Sequence, residues 1–119
     1  MTIIEVIKNK KQFLSLLLLA DEQENMIDRY LERGTMYVLN DNGVKAECVV
    51  TDECNGILEI KNIATVPEYQ GKGYAKALID FIVKEYADKY SVLQVGTGDS
   101  PLTVPFYEKC GFVRSHIIP

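Results

Sequence analysis

The amino-acid sequence predicts a single α+β or α/β domain in which helices flank a mixed β-sheet. Strand and helix patterns alternate in the second half of the chain, and this order implies a right-handed crossover between parallel strands. An Asp-Asn-Gly hairpin signal at residues 41–43 indicates antiparallel strands in the first half. The 119 residues are 47% hydrophobic and 25% charged, as is ordinary for a globular protein. We therefore expect one domain spanning residues 1–119.

The first part of the chain carries one strand pattern and two helical patterns. Residues 2–7 alternate enough to begin a strand, and residues 12–19 form an apolar stretch that suits a short helix. Asp21 and Glu24 have the spacing of a capping box, in which two side chains satisfy free amides at a helix start. The second helix should end at Gly34, because glycine is favoured just after a helix.

Three strand patterns follow in the middle of the chain. Residues 35–40 and 45–51 flank the Asp-Asn-Gly tip, so they should pair as a hairpin. A second turn, Asn-Gly at residues 55–56, leads into a strand over residues 57–66. Pro67 should end that strand, because proline has no amide to donate.

The last part of the chain predicts a helix, a strand, a second helix and a final strand. Apolar residues recur with helical period across residues 74–90, and residues 91–95 are typical of a buried strand. The Gly-Thr-Gly sequence at residues 96–98 indicates a flexible link to a short helix at about residues 102–109. We expect the final strand over residues 112–118.

The composition argues against several classes of protein. A formal net charge of −4 is unfavourable for nucleic-acid binding, which requires clustered basic side chains. The apolar runs are too short to span a membrane. Cys48, Cys54 and Cys110 lack metal-ligand spacing and indicate reduced thiols in a cytoplasmic protein. The single histidine, His116, gives little basis for a metal site or a Ser-His-Asp triad.

The turn before the long helix is the most informative segment for function. It consists of Gln70, Gly71, Lys72, Gly73, Tyr74 and Ala75. The glycines let the backbone approach a ligand, and the free amides of the following helix attract an anion such as a pyrophosphate. A plain tight turn is the alternative. A P-loop fits poorly because Ser or Thr does not follow, and a dinucleotide fingerprint fits poorly because Lys76 stands in place of the third glycine.

This segment resembles the GNAT superfamily of N-acetyltransferases. Gln70, Gly73 and Ala75 occupy the fixed places of its acetyl-coenzyme A (acetyl-CoA) signature, Gln/Arg-x-x-Gly-x-Gly/Ala. Residues 63–67, Ile-Ala-Thr-Val-Pro, resemble the family's strand that pairs with the pantetheine arm. Residues 106–112 resemble its Tyr-x-x-x-Gly-Phe segment.

The resemblance covers residues 57–112 and implies how acetyl-CoA binds. Ala64 and Val66 would pair with the pantetheine arm through main-chain atoms, in a gap between two parallel strands that splay apart. The amides that would hold the pyrophosphate belong to Gly71, Gly73, Tyr74 and Ala75. Lys72 or Lys76 would lie near the 3′-phosphate, unless these lysines are simply solvated. The resemblance implies no metal.

Two catalytic residues are also implied by the resemblance. Glu59 lies eleven positions before Gln70, where histone-type members carry their general base. The alternatives are a strand carboxylate paired with Lys61 and deprotonation of the amine through water. Tyr107 matches the family tyrosine that protonates the thiolate of the coenzyme, and a tyrosine that anchors the short helix is the alternative.

The expected function is transfer of an acetyl group from acetyl-CoA to a primary amine of a small molecule or peptide. A non-catalytic acyl-CoA-binding module is the alternative, because the family's sheet usually continues beyond residues 112–118 and the last strand or strands are missing or shortened here. An uncovered strand edge would favour a homodimer, unless further residues complete the sheet. Asp21, Glu22 and Glu24 would attract a cationic amine, or form a solvated acidic face.

Overall fold

Residues 1–95 form a five-stranded mixed sheet with helices on both faces. The computed structural model describes these residues, and the sequence predictions for residues 96–119, Tyr107 included, lie outside them. The strands are β1 (Thr2–Val6), β2 (Thr35–Asn40), β3 (Val44–Asp52), β4 (Ile57–Thr65) and β5 (Val92–Val95). The helices are α1 (Leu14–Ala20), α2 (Glu24–Asp28) and α3 (Tyr74–Tyr86), with short 3₁₀ helices at Lys10–Phe13 and Pro67–Tyr69.

The strands lie in the sheet in chain order. β1, β2, β3 and β4 are successive antiparallel neighbours, and β5 runs parallel to β4. A parallel neighbour requires a crossover connection, which here contains α3. The mixed sheet and the parallel pair predicted from the sequence are therefore confirmed.

Each face of the sheet has its own hydrophobic core, because side chains alternate between the faces along every strand. The core under α3 is made of Tyr37, Leu39, Ala46, Cys48, Val50, Leu58, Ile60, Leu78, Ile79 and Ile82. The core under α1 and α2 is made of Val6, Leu17, Ile27, Tyr30, Leu31, Met36, Val38 and Val49. Side chains of β3 and β4 that do not face α3 therefore lie against α1 and α2.

A β-bulge interrupts the pairing of β3 with β4. Val49 lies opposite Asn62 and Val50 lies opposite Ile60, so Lys61 is the extra residue on β4. Among the described residues, pairing of β4 with β5 also stops at Ile60. A bulge bends its strand, so β4 changes direction where its contact with β5 ends.

The apolar helices differ in their limits from the sequence predictions. The stretch predicted as one helix is divided into a 3₁₀ turn and α1. α3 ends at Tyr86 rather than at residue 90, and in the turn that follows it the N–H groups of Lys89 and Tyr90 both donate to the Tyr86 carbonyl. Val92, Leu93 and Gln94 of β5 are half-buried rather than buried. Within residues 1–95, no helix is long and apolar enough to cross a membrane.

The predicted capping box is wrong. α2 begins after Gln23, and no side chain caps its amides. The Asp21 carboxylate instead accepts a hydrogen bond from the Tyr30 hydroxyl at 3.2 Å. Asp21 therefore ties the start of α2 to the turn that follows it.

Candidate functional site

Beyond the bulge, β4 has one main-chain edge that no described strand pairs with. Residues 62–65 pair with β3 on one side, and β5 does not reach them on the other. The Val66 N–H donates to the Lys45 carbonyl at 2.8 Å, which is on the β3 side. Main-chain groups alternate in direction along a strand, so those of Ile63 and Thr65 point away from β3. We call these groups of Ile63 and Thr65 the open edge.

Ala64 and Val66, whose main-chain groups are predicted to contact the pantetheine arm, direct those groups toward β3. Both main-chain groups of Val66 are used, because its carbonyl accepts from the Tyr69 N–H at 2.8 Å. Ala64, two residues earlier, directs its main-chain groups toward β3 as Val66 does. The Thr65 carbonyl accepts from the side-chain amide of Gln70 at 3.4 Å, in agreement with its facing away from β3. Ala64 and Val66 thus do not present main-chain groups on the open edge.

The turn before α3 has a left-handed backbone at both of its glycines. Gly71 has φ +82° and Gly73 has φ +88°, and a Cβ built at either position meets nothing within 4 Å. Both glycines are exposed, and so is Lys72 between them. The backbone of this turn is thus exposed, and the binding of a ligand there stays a prediction.

The start of α3 presents amides with no internal partner. Its first hydrogen bond runs from the Ala77 N–H to the Gly73 carbonyl at 3.0 Å, so the amides before Ala77 have no acceptor within the helix. Gly73 is the N-cap and supplies no side-chain cap, and the first turn contains no acidic residue. Tyr74 and Ala75 therefore lie where the helix dipole favours an anion. Lys76 pairs with Asp80 at 2.8 Å on the helix surface.

The turn is held against the tip of the β2–β3 hairpin. The Tyr74 hydroxyl donates to Asp41 at 2.7 Å, and this hydrogen bond raises the pKa of Tyr74. The ammonium of Lys45 lies 4.0 Å from the centre of the Tyr69 ring, and the rings of Tyr69 and Tyr74 meet edge-on at 6.5 Å. These contacts leave the Tyr74 side chain occupied and its amide available.

Glu59 lies on β4 before the bulge, in the part of the strand that still pairs with β5. It is only 8% exposed. Its Oε2 lies 2.7 Å from Lys61 Nζ, and its Oε1 accepts from the side-chain amide of Gln94 on β5. Lys61 also lies 4.0 Å from Glu53. The pairing with Lys61 is confirmed, and the role of Glu59 as a base stays a prediction.

The described residues form a candidate site in which an exposed strand edge is followed by free helix amides. The open edge of β4 leads through Gln70 to the glycine turn and to the free amides of α3. Acetyl-CoA combines an amide-containing arm with a pyrophosphate, so it fits this order of groups. In residues 1–95 there is no cluster of three or more His, Cys, Asp or Glu side chains that could hold a metal ion.

The sequence of this protein is similar to that of known acetyltransferases. The family model of the acetyltransferase (GNAT) domain matches residues 32–114. The uncharacterized N-acetyltransferase YvbK of Bacillus subtilis (strain 168) is 35% identical over 104 residues, which cover 85% of this chain and 67% of that protein.

The fold is similar to that of solved acetyltransferases. The IAA acetyltransferase from Bacillus cereus ATCC 14579 has 35% identity and a TM-score of 0.79, covering 92% of this chain and 75% of its own. A GNAT family acetyltransferase from Elizabethkingia anophelis, solved with acetyl-CoA bound, has 31% identity and a TM-score of 0.82, covering 91% of this chain and 72% of its own. Sequence and structure agree, and this chain therefore belongs to the GNAT family of N-acetyltransferases.

Proposed function

We propose that this protein transfers the acetyl group of acetyl-CoA to a primary amine of a small molecule or peptide. The observation that carries the proposal is the open edge of β4 beside the uncapped start of α3. The open edge offers main-chain N–H and carbonyl groups to an extended ligand, and the helix start offers N–H groups to an anion. The Elizabethkingia relative, at 31% identity, has acetyl-CoA bound.

The main chain does most of the binding in this proposal. Ile63 and Thr65 pair with the pantetheine arm, and the amides of residues 71–75 hold the pyrophosphate. Gln70, which bonds to the Thr65 carbonyl, joins the turn to the strand. Lys72 contributes charge near the 3′-phosphate. When bound, acetyl-CoA supplies a thioester carbonyl that a neutral amine can attack.

Side chains handle the protons. Glu59 accepts the proton that the amine loses, either through a water or after its contact with Lys61 or Gln94 opens. Tyr107 supplies a proton to the leaving sulfur, an assignment that rests on the resemblance of residues 106–112 to the family.

The described cysteines, Cys48 and Cys54, are free thiols, which supports the predicted cytoplasmic location. The homodimer stays a prediction.

The proposal is tested by measuring binding and turnover separately. Titration calorimetry gives the affinity for coenzyme A, and a thiol-reactive dye reports thiol release from acetyl-CoA with a panel of primary amines. We expect release that depends on the amine, and we expect Glu59→Gln to lower kcat with little change in coenzyme affinity. Glu85→Gln, an exposed carboxylate on α3, is the matched control. Coenzyme binding without amine-dependent release would overturn the proposal.

A further inference from the structure

Three buried side-chain oxygens on the α1–α2 face of the sheet have no hydrogen-bond partner. Among the described residues these are both carboxyl oxygens of Glu47 and the Oδ1 of Asn62. Glu47 and Asn62 are both fully buried. A buried polar atom without a partner destabilises the folded state by about 1–3 kcal/mol, so three of them on one face call for an explanation.

The two side chains are neighbours across β3 and β4. Asn62 lies opposite Val49, and Glu47 lies two residues before Val49 and opposite Ala64. Side chains at such diagonal positions share a face and lie within reach of long side chains. Ala64, the residue opposite Glu47, carries only a methyl group. Ala64 is 9% exposed, whereas Glu47 and Asn62 are fully buried, so Ala64 lies nearest to solvent of the three.

The orientation of Asn62 is set by its other contacts. Its Nδ2 donates to the Leu17 carbonyl on α1 and to the Tyr30 hydroxyl, both at 3.0 Å. A carbonyl can only accept, so the amide nitrogen must be the atom that faces Leu17. The Tyr30 hydroxyl in turn donates to Asp21. The network therefore leaves the Asn62 oxygen as an acceptor directed elsewhere.

The Glu47 carboxyl has no described partner of opposite charge. No described Lys, Arg or His forms an ion pair with its carboxyl. Burial raises its pKa well above the usual range, and the titratable groups that interact with it are Tyr30 and Cys48. When Glu47 is ionised, the cluster offers three acceptor oxygens, and a primary ammonium, which offers three donors, would favour that ionised form.

We propose that Glu47 and the Asn62 carbonyl bind the amino group of the acceptor, on the α1–α2 face of β4 and beside Ala64. This inference rests on the proposed function, since it names the subsite for the acceptor of that reaction. The amino group reaches the two side chains past Ala64, from the side of the open edge. Glu47 is therefore a specificity-determining residue for cationic acceptors, and Glu59 serves the same acceptor from the other side of the bulge.

A thermal unfolding experiment tests the subsite without requiring turnover. Wild type and Glu47→Gln are melted with coenzyme A and about 50 mM n-butylammonium, or with tetramethylammonium, which has the same charge and no N–H donors. We expect n-butylammonium to raise the Tm of wild type above the tetramethylammonium value, and we expect Glu47→Gln to remove this difference. Glu32→Gln, an exposed carboxylate, should keep it. No difference in wild type, or an equal one in Glu47→Gln, would overturn the inference.

Kinetics provide the second measurement. With the amine that wild type acetylates best, Glu47→Gln should raise the KM for the amine by about 10-fold to 150-fold, the loss expected for a hydrogen bond to a charged group. The affinity for coenzyme A should be unchanged. Glu47→Asp keeps the carboxylate and should restore part of the amine affinity, which a purely structural role would not predict. If wild type acetylates no amine, the proposed function fails, and the Tm comparison still decides the subsite.

Discussion

Replacing Gly73 by alanine would separate two roles of this glycine: it adopts the left-handed backbone of the turn, and it leaves room for a ligand in front of α3. At φ +88° the backbone is in the left-handed region, where any Cβ is strained whatever surrounds it. A Cβ built there meets nothing within 4 Å, so alanine fits without a clash and the fold should persist. In the coenzyme complex, the same methyl group would occupy space in front of the free amides of α3.

The two effects have different expected sizes. The strain should lower the free energy of unfolding by about 1–2 kcal/mol. A hydrogen bond to a charged group contributes about 1.5–3 kcal/mol. If the methyl group costs the pyrophosphate one amide, the Kd for coenzyme A should rise by about 10-fold to 150-fold.

Titration calorimetry and urea unfolding measure these two quantities. Gly56→Ala is the matched control, because Gly56 has φ +78° but lies at the other end of β4. Its Cβ would lie 2.9 Å from the Ser91 hydroxyl, which can rotate away. We expect the control to lose stability and keep its affinity. Unchanged affinity in Gly73→Ala would refute the placement of the pyrophosphate.

Three further predictions concern stability and catalysis. Burial raises the pKa of Glu47, so above about pH 4.3 its carboxyl is ionised in the unfolded chain before it is ionised in the fold. The free energy of unfolding of wild type, relative to Glu47→Gln, should then fall by up to about 1.4 kcal/mol per pH unit until the raised pKa is passed, as urea unfolding at several pH values would show. Tyr37→Phe removes the 2.6 Å hydrogen bond to the Tyr86 hydroxyl and should lower stability by about 1 kcal/mol, with no added loss when Tyr86→Phe is combined with it. Tyr107→Phe should lower kcat by about 100-fold at unchanged coenzyme affinity, and a preserved kcat with a lower Tm would instead indicate an anchoring role.

The elements that the sequence predicts correctly are those set by local signals. The Asp-Asn-Gly tip requires positive φ, and Asn42 and Gly43 adopt φ of 57° and 109°. The end of α3 was harder to predict, because helical periodicity does not report the turn in which Lys89 and Tyr90 both donate to the Tyr86 carbonyl. The predicted capping box was wrong for the same kind of reason, since Asp21 bonds to the Tyr30 hydroxyl and to the N–H of Gln23, which precedes α2, and not to the amides of α2 itself.

The residues of the candidate site also differ in whether local sequence signals could predict them. Gly71 and Gly73 were predictable, because their conformation is needed within the turn itself. Ile63 and Thr65 were not, because the direction of a main-chain group depends on register, and register here depends on pairing with β3. Glu47 could not be identified from the sequence, because a carboxylate in a strand is ordinary until the packing that buries it is known.

The extra residue at the bulge has a consequence for how this protein can change. Ile60 packs under α3 and Asn62 bonds to α1, as successive residues of an uninterrupted strand would. Removing Lys61 would therefore leave all the remaining side chains of β4 on the faces that they now occupy. The positions that pack the two cores are thus separate from the position that bends the strand. Deletion of this one residue can therefore reshape the ligand edge while the side chains of β4 that pack the interior keep their faces.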